Sequence, residues 1–554
     1  MPDYLASQRR RHLSATLLFF ATLLLVLTAC DGSTTIPATQ ATPALASRQV
    51  LTFPNVGTQD IGVLDPALGP DINSAIAVNM IFSGLVQSDK DLNVIPDQAR
   101  TWDIAPNNKV YTFHLQPGIT FSDGTPVTAQ TYVYTLTRAL LPEVKSPVAS
   151  FFEQAIVGSS GVSNGKTRVL RGVKALDNQT LQITLTQPTP YFLQLLTNPV
   201  YFPVNKSIID QYGQADWVNH AAGNALGTGP FMVKEWDHNV KMVLVPNPHY
   251  YGNRTKLTEV DMLFVNDFNT ALQSYRAGQY SFDWNITPDQ LVTAKGLRGF
   301  TLKPLLQTDL LFFNNKTPPF DDVAIRQAFA YATDKTALAH MAFKDAAIAA
   351  PTIIPPGMSG YQSNYAGLPY DKNQAKTLLQ SVYPDITKLP AITFSYPTSE
   401  MTSYEAALLQ QMWQTALGIQ VKLLPVEPDA YDDEMAKHQI QFGFTQWGVD
   451  SSDPYFPDPY DWLTLNLVSN APNNVGDWSN ADFDATVVQA EQSSGDARIT
   501  LYNKAEQIAI TDVGWLPLDH ESLAAIIPPW VHGISLNGEG LFFGDWSDVY
   551  LLQH

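Results

Sequence analysis

A chain with one cysteine in 554 residues, behind what reads as an export signal, has to hold its fold together without disulfides. Arg9-Arg10-Arg11 leads into an apolar run from Leu13 to Leu27, which closes at Leu27-Thr28-Ala29-Cys30. A basic start, a short apolar core and small residues at the exit describe a secretory signal over residues 1–29. The run is too short for a permanent membrane span. Cys30 is the lone cysteine, so no intramolecular disulfide is available outside the cytoplasm. Stability has to come from burial of apolar surface.

Leu27-Thr28-Ala29-Cys30 resembles a bacterial lipobox, whose cysteine is lipidated and becomes the first residue of the mature protein. Cys30 is therefore the expected lipidation site; both general secretion and twin-arginine export fit the triple arginine. Residues 31–49 are small, rich in Thr, Ala and Pro, and without hydrophobic periodicity. Such a segment buries too little to offset the entropy of ordering it, so residues 30–49 read as a lipid-bearing tether. The body is expected outside the cytoplasm, anchored to the bacterial cell membrane, on the periplasmic side where a second membrane is present.

The remaining chain is far longer than one hydrophobic core organises, which predicts two or three subdomains. Hydrophobic residues make up 45% and charged residues 15%, a globular balance. The net charge of −19 excludes a nucleic-acid binder, which needs basic patches. It suits cationic or amine-bearing ligands and equally suits solubility alone. Strands and helices alternate without repeats. Tyr111–Leu115 and Leu181–Leu185 alternate in polarity and read as strands. Val260–Val265 and Leu310–Phe313 read as buried strands. Thr128 is placed as the cap of a helix to about Leu141. Further helices are expected over Asp322–Phe343, Tyr404–Leu417 with Gly418 as C-cap, and Ala497–Thr511. The pattern predicts an α/β fold with several mixed sheets.

Several segments, in order, resemble the extracytoplasmic solute-binding proteins of ABC importers, in the oligopeptide, dipeptide and nickel-binding group (family 5). They are Leu64-Asp65-Pro66-Ala67, Phe82-Ser83-Gly84-Leu85-Val86, Pro96-Asp97-Gln98-Ala99 with Trp102, and Gly118 through Ala129. Further along come Gly227-Thr228-Gly229-Pro230-Phe231 with Trp236, Asn247-Pro248-His249-Tyr250-Tyr251-Gly252, and Pro318 through Lys335. Trp447-Gly448-Val449-Asp450-Ser451-Ser452-Asp453-Pro454 closes the series. The chain departs from the family pattern at Ser122, Gln130, Ser451 and Ser452. These motifs also have scaffold readings. Asp123-Gly124-Thr125-Pro126 is a turn, Gly227-Thr228-Gly229 permits close backbone approach, and Asp321 opens a helix.

The resemblance implies a two-lobe clamshell of the large periplasmic-binding-protein type, with a third subdomain alongside. The expected division is 50–92, 222–304 and 520–554 for one lobe, 93–221 for the extra subdomain, and 305–519 for the other lobe. It implies an oligopeptide ligand, a partner permease with separate ATPase subunits, a monomer, no cofactor and no catalytic activity. In peptide binders of the group an acid at the position of Asp450 pairs with the ligand α-ammonium, a charge-assisted bond of roughly 1.5–3 kcal/mol. Trp447 is expected to stack on the ligand or pack in the core. Leu85, Val86 and Gln87, with Phe444, Thr445 and Gln446, are candidates for backbone pairing with an extended peptide. A nickel chelate, an oligosaccharide or a signalling peptide remains open as ligand.

Three other signals carry little. Gly161-Val162-Ser163-Asn164-Gly165 fits a nucleophile pattern but sits in a polar stretch without the strand before it that an elbow needs. This leaves a secreted hydrolase as the weaker reading. Asp450, Asp453, Asp458 and Asp461 are interrupted by prolines and lack calcium-loop spacing. The ten His are scattered, so no metal site is expected.

Overall fold

Alternating burial is what makes the strands of this chain. In Val110–Leu115, Tyr111, Phe113 and Leu115 are buried and their neighbours are not, the period-two signature of a sheet covered on one face. The computed structural model describes residues 44–69, 71–147, 155–224, 226–448 and 456–554. Ala46–Leu552 with His554 form one unit. Of the other, Met1–Leu45 with Gln553, the described part shows Gln553 N donating to Ala44 O at 2.9 Å. Cys30 and Asp450 lie outside the described residues.

The body opens with β1 (Val50–Val56) and α1 (Ile72–Ile81), the latter capped by Asp71, whose carboxylate accepts from Asn73 N and Ser74 N. A hairpin follows, β2 (Val86–Ser88) and β3 (Val94–Pro96). Next come β4 (Ala99–Ile104), β5 (Val110–Leu115), α2 (Ala129–Ala139), β6 (Val173–Ala175) and β7 (Thr180–Thr184). These strands form an antiparallel sheet in the order β4-β5-β7-β6. The chain then returns with β8 (Phe231–Asp237), β9 (Lys241–Pro246) and β10 (Glu259–Val265), and β10 pairs in parallel with β1.

The next eight strands are β11 (Asp283–Trp284), β12 (Phe300–Pro304), β13 (Gln307–Phe313), β14 (Ala347–Ala349), β15 (Ile392–Pro397), β16 (Val421–Val426), β17 (Phe442–Gly448) and β18 (Trp515–Ile526). They build one sheet in the order β11-β18-β13-β17-β15-β16, with β12 and β14 also on β18. Alternation along β13 sorts its two faces. Leu311 and Phe313 join a core with Phe329, Trp413 and Phe442, while Leu310 and Phe312 join one with Trp447, Trp462 and Tyr502. Phe313 and Phe442 stack with centroids 5.6 Å apart and planes 5° from parallel.

Helix expectations hold with local changes. Thr128 caps α2 in a capping box with Thr131, and Gly418 ends Glu400–Leu417 at φ 73°. The helix expected across Asp322–Phe343 is two, α3 (Val323–Ala332) and α4 (Lys335–Phe343). Thr333 turns extended between them, and Asp334 caps the second by accepting from Ala337 N. Asp322, rather than Asp321, caps the first. Ser163 ends a short helix, Ser159–Ser163, where a polar loop was expected. We label Glu400–Leu417 α5 and Gly495–Thr511 α6.

Several family-like motifs meet at buried polar hubs. Gln98, fully buried, donates to Ser83 O at 3.0 Å and Thr228 Oγ1 at 2.7 Å, and accepts from Tyr132 Oη at 2.7 Å. A Cβ added to Gly229 would stand 2.5 Å from Met80 O, and one on Gly227 2.2 Å from Ile81 O, so these glycines let the chain cross the end of α1. Asp65 accepts from Ala67 N, Trp217 Nε1 at 3.1 Å and both terminal nitrogens of Arg138 at 3.0 and 2.5 Å. Asp65 and Arg138 are each 2% exposed. Removing one partner strands a buried charge, so Asp65→Asn is expected to cost about 3–5 kcal/mol, read as a lowered midpoint in urea denaturation.

Candidate functional site

β17 carries four of the sequence candidates and has an incompletely covered edge. It pairs antiparallel with β13 along its whole length, from Phe313↔Phe442 to Gln307↔Gly448. On its other side β15 reaches only Phe442 and Gly443. Tyr431 Oη then donates to Phe444 O at 2.5 Å. Among the described residues no strand but β13 pairs with Thr445–Trp447, which leaves one edge of that segment open to an added strand.

The side chains of this segment divide by alternation. Phe444 sits in the core, edge-on to Phe394 with centroids 5.0 Å apart. Gln446, on the same face, is exposed and donates from Nε2 to Asp309 Oδ1 at 2.9 Å. Thr445 and Trp447 take the opposite face. Trp447 is nearly buried, packs in the second core of the large sheet, and its Nε1 has no hydrogen-bond partner.

Val86 and Gln87 belong to a different, two-stranded sheet, and Leu85 immediately precedes it. Leu85 O accepts from Asp97 N and Ala99 N, and Val86 and Gln87 face Pro96 and Ile95. The Leu85 and Val86 side chains are buried and Gln87 is exposed. The second edge of β2 is unpaired among the described residues. Leu92, in the turn between β2 and β3, packs against the core that holds Trp447. Beyond the segment carrying Asp450, Phe456 stacks on Tyr191 at 4.8 Å. Asp458 is committed to Arg498, at 2.6 and 2.8 Å, which removes it from any cation site. Among the described residues no group of acids, His or Cys is arranged to hold a metal.

Beside this edge runs a polar row that the sequence reading missed. Across the large sheet Gln446 stands opposite Asp309, and Asp309 opposite Asp519 of β18. Asp519 is fully buried, and no N–H or hydroxyl group reaches either carboxylate oxygen; its partner is the Asp309 carboxyl. Glu405 of α5 is 5% exposed. Burial, reinforced by Asp309, Glu405 and Glu521, holds Asp519 well above the usual carboxylate range, and burial with Glu521 raises Glu405 to about 8. Gln307, two residues before Asp309, is fully buried with both amide atoms unpartnered. The signal available in the sequence was Asp519-His520-Glu521, a polar interruption inside the apolar strand Trp515–Ile526.

On the opposite face His520 bonds Thr308 Oγ1 at 2.9 Å and lies 3.4 Å from Thr352 Oγ1. Burial lowers it to about 3. Lys335 donates to Ala350 O at 2.9 Å and burial lowers it to about 7.

A mixed α/β body with an open strand edge beside a strand crossing is the architecture of a periplasmic-type solute-binding protein. This chain belongs to the bacterial extracellular solute-binding proteins of family 5, whose model matches residues 93–462. It is 30% identical over 525 residues to the periplasmic oligopeptide-binding protein OppA of Escherichia coli, covering 92% of this chain and 94% of that one. It is 31% identical over 513 residues to a probable deoxycholate-binding periplasmic protein, YgiS, of the same organism, covering 90% and 92%. Among solved structures, the unliganded open form of the murein tripeptide-binding protein MppA superposes with a TM-score of 0.79 at 28% identity, covering 93% of this chain and 99% of that one. OppA of Listeria monocytogenes bound to peptide gives 0.69 at 26% identity, covering 92% and 100%. Among the described residues no helix is long and apolar enough to cross a membrane.

The buried titrating groups set a pH dependence for stability. Burial raises Asp97, Asp283 and Glu506 to about 7 as well, so with Glu405 and Asp519 five carboxyls hold protons in the fold that the unfolded chain releases above pH ~4. Folding therefore gains stability as pH falls through 8 and 7. Lys335 opposes this above about 7 and His520 opposes it below ~6.5, one group each against five. The melting temperature is expected to rise from pH 8 to pH 5, as calorimetry in matched ionic strength would read.

Proposed function

We propose that this chain is a lipid-anchored receptor that captures oligopeptides outside the cytoplasm and delivers them to an ABC permease and its ATPase subunits. One observation carries the reading: the open edge of Thr445–Trp447, on the strand that runs into Asp450. A peptide added there as a strand pairs through its main chain, which ignores side-chain identity. Asp450, two positions beyond that strand in the sequence, is the proposed partner of the α-ammonium, and the unpaired edge of β2 offers a second line of main-chain bonds. The names of relatives as oligopeptide- and dipeptide-binding proteins support the ligand class, as does a related structure solved with peptide.

In this proposal the lobes are 50–92 with 222–304 and 520–554, and 305–519, with 93–221 packed alongside. Two crossings link them side by side. Pro304 pairs with Ser522, and Leu305 N donates to Glu521 O at 2.9 Å. Bending at these neighbouring segments closes the lobes over the ligand, and binding selects the closed state that the permease reads. Cys30 carries the lipid, the protein acts as a monomer, and the ligand leaves chemically unchanged.

Native mass spectrometry of the purified chain, followed by denaturation, is expected to release a heterogeneous set of intact peptides. A single non-peptide mass, such as a bile acid or a metal chelate, would overturn the ligand assignment. Asp450→Ala is expected to weaken peptide binding by about 2–5 kcal/mol, about thirtyfold or more. Affinity retained within about twofold on titration calorimetry would show that Asp450 does not hold the α-ammonium.

A further inference from the structure

The row Gln446–Asp309–Asp519 has no structural role that accounts for its composition. A fully buried carboxyl normally has N–H donors or a cation beside it, but Asp519 meets only another carboxyl, Asp309, and no basic group stands among the charges that act on it most strongly. Those are Asp309 on β13, Glu405 on α5 and Glu521 on its own strand. Lys335 is turned to Ala350 O, and His520 faces the other side of β18 toward Thr308 and Thr352. Such a site is costly to keep for packing alone, since an apolar residue of similar size would fill it without the desolvation penalty.

A second side chain points to the same place. Gln307 is 0% exposed and neither its Oε1 nor its Nε2 has a partner. The register of β13 against β17 is unbroken from residue 307 to 313, so Gln307 and Asp309 share one face of the sheet. An unpartnered amide and a carboxyl whose one partner is another carboxyl thus sit on neighbouring strands, beside an exposed glutamine that already bonds Asp309. The row starts at the open edge of β17 and runs inward.

We propose that Asp309 and Asp519 form a subsite for a basic side chain, lysine or arginine, of a peptide held along Thr445–Trp447; this rests on the peptide-receptor reading above. In the empty protein the two carboxyls share a proton, because like charges this close resist joint ionisation. An incoming ammonium or guanidinium passes Gln446 and meets Asp309 first, with Asp519 behind it. Asp519 then gives its proton to solvent, and the cation gains two carboxylates in a site that already excludes water. Gln307 supplies an amide oxygen to a remaining N–H. A neutral side chain of the same length leaves these groups as they are and gains none of these bonds.

The test uses the full-length chain and tetra-alanine peptides bearing one lysine at each position in turn, each matched by its norleucine counterpart. Titration calorimetry at pH 7 in phosphate and in Tris separates proton release from binding heat. At one position lysine is expected to bind at least about tenfold tighter than norleucine, with about one proton released per peptide. Both the preference and the proton release are expected to disappear in Asp519→Asn. That variant replaces a buried carboxyl that faces another carboxyl with a neutral amide able to donate to Asp309, so its ligand-free melting temperature at pH 8 should not fall below that of the parent. If it fails to fold, the lysine preference and proton release of the parent decide alone. Lysine and norleucine peptides binding within about twofold at every position would overturn the subsite and leave the peptide receptor standing. Failure of every peptide, tetra-alanine included, would instead bring down the peptide reading and the subsite with it.

Discussion

The pairing of one long strand, Trp515–Ile526, holds the body of this protein together. Its first half bonds β13 and β14, and its second half bonds β11 and β12. The register shifts once, between Asp309 and Leu310, so the strand passes from one set of partners to the next without losing its ladder. Residues along its second half alternate between cores: Ala524 and Ile526 pack with Phe329 and Trp413, while Leu523 and Ala525 pack with Phe53 and Trp284. A β-strand supplies a rigid, fully bonded connection. Here it crosses beside a second connection at Pro304–Gln307, which keeps the two crossings in register.

With one cysteine in the whole sequence, the parts are fixed to one another by buried polar hubs in place of disulfides. Asp65 ties Arg138 and Trp217 to its own turn, and Gln98 ties Ser83, Thr228 and Tyr132. Arg326 spends its guanidinium on carbonyls, Phe320 O at 2.9 Å and Asp512 O at 2.8 Å, with the Asp512 carboxylate at 3.5 Å. Each hub joins segments far apart in sequence and satisfies nearly every donor it buries. This is the condition under which buried polar groups specify a fold rather than weaken it. The Asp309–Asp519 row breaks that rule beside an open strand edge, and so stands out from the scaffold.

Much of the architecture was legible because its causes are local. Strands such as Val110–Leu115 announce themselves by period-two burial, and α5 by Gly418 at its end, while its cap at Ser399 lies before the expected start at Tyr404. The split of the Asp322–Phe343 helix was missed because the apolar pattern continues through Thr333-Asp334. What ends α3 is the better cap that Asp334 provides for a second helix. Of the β17 candidates, the division of labour among side chains was not legible. Phe444 turned out to be core and Gln446 a surface partner of Asp309, because strand alternation assigns faces only once the neighbours are known.

What the sequence determined by itself is what depends on neighbours in the chain: a cysteine-poor body, its strands and caps, and the ordered motifs of one binding-protein family. Tertiary structure alone decided which distant residues share an environment. Asp309 and Asp519 lie more than two hundred positions apart and become a carboxyl pair only because β13 and β18 are neighbours in register. The open edge of Thr445–Trp447 likewise exists only because β15 stops pairing at Gly443. Periodicity reports which face of a strand is buried; it carries no information about which strand will lie beside it.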